Sequence, residues 1–81
     1  MLRWTRKSRA SLYNVQVFLV GNRNRLSKVL STFPRSPRLR VPNRELRRGR
    51  CYVWRVWPYF GDKFTKRPLG VSNFCVTAAR R

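Results

Sequence analysis

Arginine is the residue of this chain best equipped for chemistry. Its densest run is RSPRLRVPNRELRRGR, Arg35 to Arg50, where seven arginines, two prolines and one glutamate share sixteen residues. A guanidinium is planar and permanently charged, and its fork holds a phosphate through two parallel hydrogen bonds or stacks on a base. Sixteen of the 20 basic residues are arginine; the lysines are Lys7, Lys28, Lys63 and Lys66. A purely electrostatic role does not need that bias, although a skewed nucleotide composition of the gene would produce it too.

Other chemistries are poorly supplied. There is no histidine, and the two acids, Glu45 and Asp62, stand far apart in turn-like contexts, so no acid–base pair is evident. Cys51 and Cys75 lack a histidine to activate them and are too few for a zinc site, which takes about four ligands. Two buried thiols acting as small apolar residues are favoured over a disulfide joining two strands, with a site shared with a neighbouring protein as a third option. The stretch GNRNRLSK lacks the phosphate loop's second glycine followed by lysine and serine or threonine. It does set Arg23 and Arg25 beside backbone N–H groups at an expected helix start, where a phosphate can sit. No enzyme, cofactor, metal or small-molecule substrate is expected.

These arginines must be positioned by very little core. A chain of 81 residues is at most one small domain, and it carries a net charge of +18, whereas small soluble domains are comfortable at a magnitude of roughly 2 to 8. Self-repulsion on that scale opposes compaction, so the counter-charge is sought on an external polyanion, nucleic acid or an acidic membrane. Residues 1–14 read as a basic arm. Residues 15–33 read as a strand–turn–helix unit: Val15, Val17 and Leu19 alternate with Gln16, Phe18 and Val20, GNRN turns, and Leu26, Val29, Leu30 and Phe33 take the spacing of one helical face. Pro34 stops that helix. Residues 34–50 form an extended Arg/Pro connector, with one turn over PNRELRRG and Asn43 as its cap.

After Gly49 the texture changes to CYVWRVWPYF, with Cys51, Val53, Arg55 and Trp57 on one side and Tyr52, Trp54 and Val56 on the other. Pro58 ends this strand or makes it an edge, FGDK turns, and VSNFCVTAA returns with Phe74 facing Trp54. The expected fold is therefore α+β, a small mixed unit with two or three short strands, one short helix and extended basic segments. Residues 51–79 form an aromatic β-hairpin-like unit and residues 80–81 a basic tail.

No apolar run approaches the roughly 20 residues that span a bilayer, so no transmembrane segment is expected. The start, MLRWTRKSRASLYN, is rich in Arg and Ser, and no acid precedes Glu45. That composition suits a mitochondrial targeting segment, retained in a chain that starts at Met1, and equally an arm lying on RNA.

Basic residues interleave with aromatics in RGRCYVWRVWPYFGDKFTKR, Arg48 to Arg67. Single-stranded nucleic acid is held in this manner, cations on phosphates and rings on bases. Tyr52 and Trp54 are assigned to the core; Trp57, Tyr59 and Phe60 are candidates for stacking on bases or on a protein neighbour. The candidate RNA-binding residues are Arg3, Arg6, Lys7, Arg9, Arg23, Arg25, Arg35, Arg38, Arg40, Arg44, Arg47, Arg48, Arg50, Lys66, Arg67, Arg80 and Arg81. If about ten cations meet phosphates, log affinity falls with log salt at a slope near −7 to −9.

Arginine excess, proline-bearing basic segments, a tiny mixed core and almost no acids together resemble the small ribosomal proteins, and the tryptophans and targeting-like start resemble those of mitochondrial ribosomes. The resemblance lies in composition and layout over the whole chain, with no individual family motif. It implies a structural rRNA-binding protein of the mitochondrial matrix, or else of the cytoplasm, with ribosomal RNA and neighbouring ribosomal proteins as partners. The alternatives are an accessory subunit of a mitochondrial membrane protein complex, its basic surface on anionic lipid, and a nucleic-acid packaging protein.

Overall fold

The computed structural model describes residues 1–77, and over them the chain is an antiparallel β protein. The strands are β1 (Leu2–Arg3), β2 (Ala10–Val20), β3 (Leu26–Thr32), β4 (Arg38–Leu39), β5 (Cys51–Phe60), β6 (Lys63–Phe64) and β7 (Gly70–Cys75). The long strands β2 and β5 lie side by side with Val15 opposite Val56. β3 flanks β2, while β7 and β6 share the far edge of β5, β7 along Cys51–Val56 and β6 along Tyr59–Phe60. β1 and β4 pair separately as a short ribbon. The last residues of the 51–79 unit and the basic tail at 80–81 lie outside the described residues.

The α+β expectation is overturned. The segment assigned to a helix is β3, and the only helical turns among the described residues are three-residue 3-10 turns at Asn22–Asn24 and Asn43–Glu45. Val17 faces Leu30 but Phe18 faces Lys28, so Val29 is one extra residue, a β-bulge. The bulge turns both Val29 and Leu30 toward the core, and two adjacent inward apolar residues mimic the i, i+3, i+4 rhythm of a helix. Ser27, Val29, Ser31 and Thr32 are indifferent helix formers, and a single helix this short is marginal. Pairing with the eleven residues of β2 wins instead. It is enabled by the turn: Arg23 and Asn24 hold φ of 58° and 60°, and the Arg25 N–H donates to Asn22 O at 3.1 Å. Two positive φ values make the primed turn whose twist matches a hairpin.

One face of the sheet carries the core. Alternation puts Tyr13, Val15 and Val17 of β2 on the same side as Tyr52 and Val56 of β5, and all five are buried. The ribbon covers them with Leu2, Trp4 and Leu39, followed by Val41 and Leu46. Trp4 meets Tyr13 edge-on at 5.4 Å and Trp54 at 6.0 Å. The two buried tyrosines also reach out: Tyr13 Oη accepts from the Lys7 N–H at 3.0 Å and Tyr52 Oη from the Arg47 N–H at 2.7 Å. Both basic segments are thus pinned by backbone, which leaves their cationic side chains to solvent.

β5 runs through Pro58, which is buried, rather than ending there. Tyr13, opposite Pro58, turns its N–H away to Pro34 O, and Pro58 O accepts from the Thr65 N–H on the β6 side. The donor that proline lacks therefore points to the break between β7 and β6, where no ladder bond is forfeited. Tyr52, not Trp54, stacks on Phe74 at 5.4 Å, and Trp54 faces Ser72. That register sets Cys51 directly opposite Cys75, and the two are joined in a disulfide, which overturns the preference for free thiols. With 24 residues of separation, closing this loop contributes about 3 kcal/mol by restricting the unfolded chain.

Candidate nucleic-acid interface

The ribbon is the first concentration of charge. β1 and β4 are too short to stand alone and are held by Trp4 and Leu39 on the core, with the Trp4 N–H donating to Pro37 O at 3.1 Å. Their register puts Arg3 directly opposite Arg38. With Arg6, Ser36 and Pro37 they line a shallow cavity of about 310 Å³. Like charges facing each other across strands are destabilising, and no carboxylate relieves them: the one ion pair among the described residues is Arg44 Nε to Glu45 Oε2 at 3.8 Å, with Arg44 exposed and Glu45 half-buried. An anion placed between Arg3, Arg6 and Arg38 would convert this repulsion into attraction.

Arg23 and Arg25 belong to the β2–β3 turn, where with Gly21, Asn22 and Ser27 they line a separate cavity of about 580 Å³. No helix starts there, so the expected helix-terminus phosphate site is corrected to a hairpin tip. Arg40 lines a third hollow with Pro42, Asn43 and Leu46. Lys7, Arg9, Arg35, Arg44, Arg47, Arg48, Lys66 and Arg67 are exposed and Arg50 is half-buried. Arg80 and Arg81 lie outside the described residues.

The aromatic candidates divide by face. Trp57 and Tyr59 alternate onto the side of the sheet away from the ribbon, and both are half-buried. Tyr59 packs on Phe64 at 4.8 Å and Phe64 on Phe33 at 5.9 Å, so Tyr59 belongs to a small surface cluster. Phe60, opposite Ala10 and Lys63, falls on the ribbon's side. On the open side Asn14 is buried: its Nδ2 donates to Ser31 Oγ at 3.2 Å and Thr32 O at 3.1 Å, and its Oδ1 accepts from Gln16 Nε2 at 2.7 Å. These bonds stiffen the face beneath the aromatics.

Sequence reasoning missed a group on that face. Phe18 is flanked by Arg55, its guanidinium carbon 5.0 Å from the ring centroid, and by Lys28 with Nζ at 6.0 Å. Alternation in β2 already set Phe18 opposite the core residues, but Lys28 joined it only once its segment became a strand. No helix among the described residues is long and apolar enough to cross a membrane.

Comparison with known protein families, with curated proteins and with solved structures finds no match to this chain.

Proposed function

We propose that this chain is a structural RNA-binding protein, a small ribosomal protein of mitochondrial type whose arginines neutralise rRNA phosphates and so stabilise the assembled particle. The observation that carries this reading is Arg3 facing Arg38 beside Arg6 with no acid to offset them. Such an arrangement is poor for an isolated domain and suits one that folds against phosphate. Twenty basic residues against two acids extend the same imbalance over the whole chain. Crosslinking in cells followed by sequencing of the attached RNA tests it. Discrete rRNA positions are expected; heterogeneous nucleic acid indicates packaging instead, and the absence of nucleic acid overturns the reading.

The Cys51–Cys75 bond favours a second reading, because disulfides persist in oxidising compartments. An accessory subunit of a mitochondrial membrane complex, its basic ribbon against anionic lipid, meets that condition. Copurification with anionic lipid and membrane proteins, free of rRNA, identifies this case.

A further inference from the structure

The face of the sheet away from the ribbon is uncovered, and its register gathers what an unpaired nucleic-acid strand requires. Phe18 lies between Lys28 and Arg55; Trp57 stands four residues beyond Val53, the partner of Phe18. At about 3.4 Å per residue that is roughly 14 Å along the strand, room for more than one nucleotide. Phe33, 56% exposed, packs on Phe64, the partner of Tyr59, and Val71, 59% exposed, stands opposite Arg55 in the register. Large exposed apolar side chains gathered on one surface mark a contact site. The two acids are elsewhere, Glu45 in the second 3-10 turn and Asp62 in the β5–β6 turn.

We propose that this open face is a platform for unpaired RNA bases, one base stacking over the Phe18–Arg55 pair and another on Trp57, with Lys28 taking the phosphate beside the first base and the hairpin-tip Arg25 the phosphate on that base's far side from Trp57. The inference rests on the RNA-binding reading and names which form of RNA this face takes. Charge complementarity selects the occupant. A strand of RNA supplies the negative charge that Lys28 and Arg55 lack, together with π faces for the rings, whereas a duplex keeps its bases stacked on one another. Two cations already hold Phe18 in place, so little side-chain freedom is lost on stacking, and the outer plane of a guanidinium itself accepts a base.

The test measures affinity of the full chain for an unstructured pyrimidine-rich RNA oligonucleotide and for a blunt RNA duplex of equal length. The variants are Phe18→Ala, Arg55→Ala and, on the ribbon, Arg38→Ala, each checked for folding by circular dichroism. Phe18→Ala is expected to weaken single-strand binding by about tenfold, the scale of one lost base stack, while duplex binding stays within twofold. Arg38→Ala is expected to weaken both equally. Photocrosslinking of 4-thiouridine RNA to the unaltered chain, mapped by mass spectrometry, gives a second readout should a variant misfold, with adducts expected at Phe18 or Trp57. Equal losses for strand and duplex, adducts confined to the ribbon, or crosslinks from this face to a protein overturn the platform while RNA binding by the unaltered chain stands. Failure of the unaltered chain to bind either RNA overturns the RNA-binding reading and the platform with it.

Discussion

The two faces of the sheet are built from alternate residues of the same strands, yet one is closed and the other open. On the ribbon side Tyr13, Val15 and Val17 are buried; their neighbours Gln16 and Phe18 point to the open side and remain half-exposed. The closed face contains nearly all of the apolar burial, and the basic segments are lashed to it through Tyr13 and Tyr52. The open face keeps cations on an aromatic ring and no covering layer. The proposed base stacking therefore falls on the side that carries little of the apolar burial, and substitutions should separate stacking from stability.

The largest effect should follow from opening the closed face. Tyr13→Ala removes a buried ring and the acceptor for the Lys7 N–H, and a loss of about 3 to 5 kcal/mol is expected. Urea denaturation at moderate salt checks this; a loss below about 1 kcal/mol would mean that the ribbon does not close the core. Reduction of Cys51–Cys75 should come next, lowering stability by about 3 kcal/mol, read as a fall in Tm between oxidised and reduced protein. Tyr52→Phe keeps the ring on Phe74 but strands the Arg47 N–H, at a cost of about 1 kcal/mol. Its sharper signature is faster amide exchange at Arg47. Phe18→Ala, on the open face, should change folding stability least, by about 1 kcal/mol or less, although it removes the ring proposed to stack on RNA. If Phe18→Ala destabilises as strongly as Tyr13→Ala, the division between faces fails.

The division was partly legible in the residues. Alternation in Val15 to Val20 and in Cys51 to Trp57 assigns side chains to faces as the structure has them, because period two is fixed by the strand itself. GNRN and FGDK turn where expected, and Gly61 at φ 62° opens a two-residue hairpin loop. Two kinds of information were not local. A bulge at Val29 writes a helix-like spacing into a strand, and only the register against β2 reveals it. The pairing of Arg3 with Arg38, of Cys51 with Cys75 and of Phe18 with Arg55 depends on which strands become neighbours, and no residue type announces that. Pro58 likewise misleads as a stop until the break beside it is known.

The ribbon also bears on the first residues. Trp4 rests on Tyr13 and Trp54, so removing residues 1–5 should expose that surface and lower Tm, whereas a dispensable leader would leave Tm unchanged.

The central claim, that phosphate completes a chain carrying +18, is tested most directly by titrating a single-stranded RNA with the purified protein across a range of salt. With about ten phosphates neutralised, the plot of log affinity against log salt should fall with a slope near −7. A slope shallower than about −2, corresponding to no more than about three phosphate contacts, would contradict the account.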